Sequence, residues 1–125
     1  MVTTAAQNVA TEKILLLPTC RGLEIIAIDS IVRIQAISNY SKLFFIDGRS
    51  LVVAKVLSWF EKKFEHIHFI RLHRGHVVNI MHIRGWENFN KAEVVLANGE
   101  RVLVSRRRRG EFKKAVYKYY GNGIS

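Results

Sequence analysis

Apolar and polar residues alternate in short runs along most of this chain, and residues that turn the backbone separate the runs. In "IVRIQAIS" (31–38), Arg33 and Gln35 alternate with Val32, Ile34 and Ala36, the period of two that a half-buried strand requires. "LEIIAI" (23–28), "SKLFFI" (41–46), "HFIRLH" (68–73) and "IRGWENF" (83–89) read as further short strands. "FFIDGRSLVV" sets Asp47-Gly48 between apolar runs, and "VVLANGERVLV" does the same with Asn98-Gly99. Both dipeptides suit a type I′ turn, with positive φ at both central residues, so each predicts a β-hairpin.

Two stretches change period. In "AKVLSWFEKKFEH", Val56, Leu57, Phe60 and Phe64 fall on one helical face, with Lys55, Glu61 and Lys62 opposite. In "SRRRRGEFKKAVYKYY", Phe112, Ala115, Val116 and Tyr119 repeat at helical spacing, and Ser105 or Gly110 is placed to start the helix. The expected class is therefore mainly β, with many short antiparallel strands and two short helices. Residues 1–12 are small, polar and without period, a flexible lead-in; residues 13–120 form one domain, and 121–125 a tail.

Composition narrows the function. One domain is expected from 125 residues, and a 49% hydrophobic content is enough for a core. Cys20 is the single cysteine, which rules out an internal disulfide and a four-cysteine zinc site and fits a reducing cytoplasm. The N-terminal stretch lacks the basic and apolar regions of a secretory signal, and no apolar run is long enough for a membrane span. Twenty Lys and Arg against ten Asp and Glu give a formal charge of +10, so polyanions are the expected partners, nucleic acid before anionic membrane.

The segment "FIRLHRGHVVNIMH" (69–82) poses the sharpest question, because it mixes strand formers with two arginines and three histidines. All five histidines, His66, His68, His73, His76 and His82, lie within it or just before it. His73 and His76 have the spacing of a ligand pair, but a zinc or iron site needs further ligands, and the nearest acids are Glu61, Glu65 and Glu87. On a strand, neighbours alternate faces and converge poorly. No serine lies in a nucleophile elbow, no phosphate-binding glycine loop occurs, and the acids are scattered singly, so no enzyme and no cofactor is expected. Basic residues are the stronger signal: "SRRRRGEFKK" (105–114) holds six positive charges between a strand and a helix, in an ordered loop. Arg71 and Arg74 fall in a second strand-exit loop and Lys42 near a third, "SNYSK". Arginine in such loops offers paired hydrogen bonds to phosphate or to the guanine edge. The aromatics Tyr40, Phe44, Phe45, Trp59, Phe60, Phe69, Trp86 and Phe89 mostly fall on apolar faces, which favours core packing over a base-stacking platform.

Four fragments in order carry a resemblance to the LytTR DNA-binding domain, the output module of many bacterial response regulators. "IVRIQAISNYSKLFF" resembles the family's strand, Asn-Tyr loop and strand, and "DGRSLVVAKVLSWFEKKF" its hairpin and first helix. "FIRLHRGHVVNIMHI" resembles its Phe-x-Arg-x-His-(Arg/Asn)-Ser-x-x-Val-Asn motif, with Gly75 at the serine position, and "VVLANGERVLVSRRRRGEF" its last hairpin and Ser-Arg-Arg exit. The resemblance covers about residues 13–120. It implies an elongated fold of about ten short strands in three antiparallel sheets, whose loops enter successive major grooves. Base-reading positions then map to Ser41 with Tyr40 and Lys42, to Arg74 and to Arg107. Arg71, His73, Arg106 and Arg108 map to phosphate contacts or supports, and Asn79 to the DNA-facing surface or to a loop brace. The implied function is a transcriptional regulator binding specific double-stranded DNA, with two copies on paired direct repeats, no membrane and no small-molecule substrate. These 125 residues leave no room for the receiver domain of a two-component response regulator, so phosphorylation in the usual way is not expected. The alternatives are a general nucleic-acid-binding β protein for RNA or single strands, and a histidine-metal enzyme.

Overall fold

A computed structural model describes residues 13–65, 67–88 and 92–121; the proposed lead-in, most of the tail, His66 and Phe89 fall outside the described residues. The strands are β1 (Ile14–Thr19), β2 (Gly22–Ala27), β3 (Ile31–Ile37), β4 (Tyr40–Phe45), β5 (Ser50–Val53), β6 (Phe69–His73), β7 (His76–Asn79), β8 (Ile83–Asn88), β9 (Ala92–Leu96) and β10 (Arg101–Leu103). The helices are α1 (Leu57–Lys63) and α2 (Arg109–Tyr120), and single 3-10 turns cover Ile28–Ser30, Ile80–His82 and Arg106–Arg108. Every strand pairing is antiparallel, in a β1-β2 hairpin, a five-stranded sheet β5-β4-β3-β7-β6 and a three-stranded sheet β10-β9-β8. The mainly β class with three antiparallel sheets and two helices matches the expectation from sequence.

The five-stranded sheet is the middle layer because both its faces are apolar. One face carries Ile31, Ile34, Leu43, Phe45, Val53 and Val77, packed with Leu15, Leu17 and Ile26 of the hairpin and with Leu57, Phe60 and Phe64. α1 connects β5 at one edge to β6 at the other. Its Leu57 and Phe60 are buried in the core of that first face. The opposite face carries Val32, Leu72 and Val78, which meet Ala92, Val94, Leu96, Val102, Val104 and Phe112 of the three-stranded sheet and α2. A bulge in β3 between Ile31 and Arg33 shifts the alternation by one, so that Ile31 and Ile34, three residues apart, serve the first core while Val32 serves the second.

Local details depart from expectation for readable reasons. β1 was not anticipated, since "LLL" followed by Pro18 is a poor strand signature. Leu15 and Leu17 nevertheless face inward. Neither Asp-Gly nor Asn-Gly makes a type I′ turn: Gly48 and Gly99 have φ of 90°, but Asp47 and Asn98 do not take positive φ. The loops have three residues, with Phe45 N–H donating to Arg49 O and Leu96 N–H to Glu100 O. Asp47 Oδ1 accepts from Arg49 N–H at 2.9 Å, and Asn98 Oδ1 from Glu100 N–H at 3.0 Å. Each is a turn closed by a glycine bulge, with the acidic or amide side chain bonded two residues on. α1 opens at Leu57, so Val56 lies before it and is exposed. In α2, Phe112 is buried, whereas Tyr119 is 39% exposed. Neither Ser105 nor Gly110 starts that helix, which continues from the 3-10 turn at Arg109 without a side-chain cap.

On the second face of the central sheet, Arg33 is only 12% exposed and fully engaged. Its Nε donates to Glu100 Oε1 at 2.9 Å and its Nη2 to Glu100 Oε2 at 3.1 Å, a paired contact reaching from β3 to the β9-β10 turn. Nη1 lies 2.9 Å from His76 Nε2, and the guanidinium stacks 3.6 Å from the Phe44 ring centroid. Burial, with Arg33 and His73 nearby, lowers the His76 pKa to about 4 against the opposing pull of Glu100. His76 is therefore neutral near pH 7 and accepts from Arg33.

Two outcomes follow. Phe60 is wholly buried, so Phe60→Ala should cost about 3–5 kcal/mol in urea unfolding, while Leu16→Ala, on the exposed side of the hairpin, should cost under about 1 kcal/mol. For pH, the depressed His76 pKa means that the unfolded chain binds the extra proton first. That stability is complete above about pH 6.5 and is lost as pH falls toward about 4, by about 2 kcal/mol after allowance for solvent access. His76→Gln keeps an acceptor for Arg33 without a proton to gain, and should flatten the dependence of the urea midpoint across that window.

Candidate nucleic-acid interface

Three turns, two of them carrying exposed arginines, are brought side by side around the end of β6. The β6-β7 turn at Arg74 and Gly75 is the middle one. On one side Gly75 O accepts from Ala36 N–H at 2.9 Å, which fixes it to β3 close to the β3-β4 turn. On the other, Leu72 O accepts from Ser105 N–H at 2.8 Å, which fixes the Arg106–Arg108 turn to β6. Glu61 of α1 ties the latter pair together: its Oε1 lies 2.7 Å from Arg71 Nη1 and its Oε2 4.0 Å from Arg108 Nη1.

The middle turn is braced from within. Arg71 lies on β6, not in a loop, and is 16% exposed at its side chain. Its Nε donates to His73 O at 3.1 Å and its Nη2 to Arg74 O at 2.6 Å, besides the contact to Glu61. His73 folds back so that its Nδ1 accepts from Gly75 N–H at 3.0 Å. Burial first, then Arg71 and Arg108, lowers the His73 pKa, which keeps the ring neutral and able to accept. The ring packs against Gly75: a Cβ there would stand 3.2 Å from His73 Cε1, a tight contact that a small shift of the ring relieves. Arg74 is the outcome of this arrangement, with its carbonyl held and its side chain exposed.

The remaining positions divide between surface and support. Tyr40, Ser41 and Lys42 belong to β4, and the turn before them is Ser38-Asn39. Ser38 takes φ of 56°, the one positive φ of a non-glycine among the described residues. Tyr40 is half exposed, and Lys42 is partly buried with Nζ 5.2 Å from the Phe44 ring centroid. Ser41 departs most from the sequence reading: it is fully buried, and its hydroxyl donates to Lys55 O at 2.6 Å, tying β4 to the segment before α1. Asn79 is also fully buried; its Nδ2 donates to Ile31 O and its Oδ1 accepts from Met81 N–H, both at 2.9 Å. Arg106 and Arg107 are exposed, while Arg108 leans inward between Glu61 and Glu111.

The described histidines fall into two pairs. His68 Nε2 lies 2.9 Å from Asp29 Oδ1 and His82 Nε2 2.7 Å from Asp29 O, whereas His73 and His76 face each other across β6 and β7 with ring centroids 5.4 Å apart. Among the described residues no group of three His, Cys, Asp or Glu is placed to hold a metal ion, and no helix is long and apolar enough to cross a membrane. Sequence reasoning missed Glu61 and Arg33, and it missed Asn39 as an exposed residue of the β3-β4 turn. The signal for Ser41 was present, since period two puts it on the same face as Leu43 and Phe45.

No individually curated protein matches the chain. Among solved structures, it is similar to the LytTr DNA-binding domain of a methyl-accepting/DNA response regulator from Bacillus cereus. The TM-score is 0.70 and the identity 23%, over 84% of this chain and 97% of that one. The family model of the LytTr DNA-binding domain matches residues 21–117, from just before β2 into α2 and across all three turns. The chain belongs to the LytTR DNA-binding domain family.

Proposed function

We propose that this domain is a transcriptional regulator that recognises a specific double-stranded DNA sequence through its three adjacent turns, each entering the major groove. The supporting observation is the way the turns are joined: backbone bonds between Gly75 and Ala36 and between Leu72 and Ser105 set three tips, two of them bearing exposed arginines, along one side of the fold. Arg74 and Arg107 are the readers, placed at tips and exposed, and each can offer paired donors to a guanine edge. Asn39, Tyr40 and Lys42 serve the third turn. Arg106 contacts phosphate, with Arg108 beside it. Ser41, Arg71, His73 and Asn79 shape the turns from behind. The net charge of +10 supplies affinity without sequence information, and the tips supply choice.

Selection from a random duplex pool gives the preferred site, and titration at fixed salt tests the roles. Arg74→Ala and Arg107→Ala should each weaken the preferred site by about 1–3 kcal/mol more than random duplex, each at a different base pair. Lys118→Ala, on the last turn of α2, should leave the preference unchanged. Equal losses on both duplexes for the two arginine variants would replace sequence reading by general polyanion binding. Salt gives a second measurement. Neutralising about six phosphates predicts a log–log slope of affinity against salt near about −5, and a slope near zero would remove the electrostatic basis of the proposal.

A further inference from the structure

A cavity of about 440 Å³ opens between β8 and α2, away from the residues of the three turns. Its size falls in the range of small-molecule sites, about 300–1,000 Å³. The apolar part of its wall is Ile83, Trp86, Phe112 and Val116, with the Trp86 and Phe112 rings edge to face at 5.2 Å. Arg84 and Lys113 also line it, and none of its lining residues is acidic. Neither cation has a carboxylate within 4.0 Å among the described residues, in contrast to Arg33, Arg71, Arg101 and Arg108. Lys113 Nζ stands 5.5 Å from the Trp86 ring centroid, at the boundary between apolar wall and charge. The indole N–H of Trp86 is shielded from solvent and has no acceptor among the described residues.

We propose that this cavity binds a small amphipathic anion, an aliphatic or aromatic carboxylate whose hydrocarbon part packs against Trp86 and Val116 and whose carboxylate meets Arg84 and Lys113. Apolar area drives entry, and the two cations give the site its preference for negative charge. An uncharged or cationic ligand with the same hydrocarbon part lacks that second contribution. This site is independent of the DNA-reading turns and stands or falls separately from them.

The chain has two tryptophans, Trp59 and Trp86, so its indole N–H signals in nitrogen-15 NMR separate the cavity from the rest of the fold. Sodium octanoate should shift the Trp86 signal in a saturable way and leave Trp59 in place. A charge-assisted contact predicts octanol binding about 10-fold or more weaker, although octanol is the more apolar molecule, with octyltrimethylammonium weaker still. The double variant Arg84→Gln, Lys113→Gln should bring octanoate down to the level of octanol, with the unmoved Trp59 signal reporting an intact fold. Val116→Phe, which narrows the cavity, should weaken both ligands. A Trp86 signal unmoved by millimolar octanoate would overturn the site, and octanol binding as tightly as octanoate would overturn its anionic ligand class.

Discussion

A nearly buried guanidinium, that of Arg33, holds the two halves of the molecule in register. Removing such a charge from water costs several kcal/mol unless every side of it is satisfied. Here Glu100 takes two donors, neutral His76 accepts another, and Phe44 covers the flat face. The partners come from three different places: β4, β7 and the tip of the β9-β10 hairpin. The central sheet and the three-stranded sheet therefore cannot slide on their apolar contact without leaving a charge unpaired. An apolar interface is tolerant of small shifts, whereas this contact admits one alignment. Burial first, and then the same positive charge, holds the His76 pKa down, so the imidazole stays neutral and accepts from the guanidinium.

The same economy of charge runs through the basic turns. A chain with twice as many cations as anions repels itself, so its acids carry unusual weight. Glu61 holds Arg71 and Arg108 and Glu100 holds Arg33, while Arg74, Arg106 and Arg107 stay exposed at the turns. Arg71 and Arg74 sit three residues apart in the same motif and have opposite fates, one turned inward to hold carbonyls and one released to the surface. The internal ion pairs thus separate the arginines that brace the turns from those left exposed, and the pattern of acids matters as much as the number of bases.

The sequence carried the fold well because period two and period three and a half are written in apolar residues. What it concealed were contacts between segments distant along the chain. β1 was hidden because leucine and proline are weak strand signals, and its assignment rests on packing against a core contributed by later strands. The two glycine hairpins were visible, but their loop lengths were not, because Phe45 and Leu96 pair with Arg49 and Glu100, one residue earlier than a two-residue loop would set them. At the candidate site, the residue types were legible and their orientations were not. An arginine that binds phosphate and one that braces a turn look identical in sequence, and only the positions of Glu61 and the His73 and Arg74 carbonyls separate them. Ser41 was legible in principle, because its alternation with Leu43 and Phe45 turns it inward.

The brace behind the middle turn takes hold of Arg74 through its backbone carbonyl alone. Arg71, His73 and Gly75 fix the path of the chain there, and none of those bonds involves the side chain at position 74. That position is a socket: whatever residue occupies it is delivered to the same point in space at the same angle. Substitutions there exchange one side-chain chemistry for another while the mount stays unchanged, so the surface can diverge in what it recognises without the fold having to be solved again. Changes at 71 or 73 have the opposite character, since they alter the mount for every possible occupant.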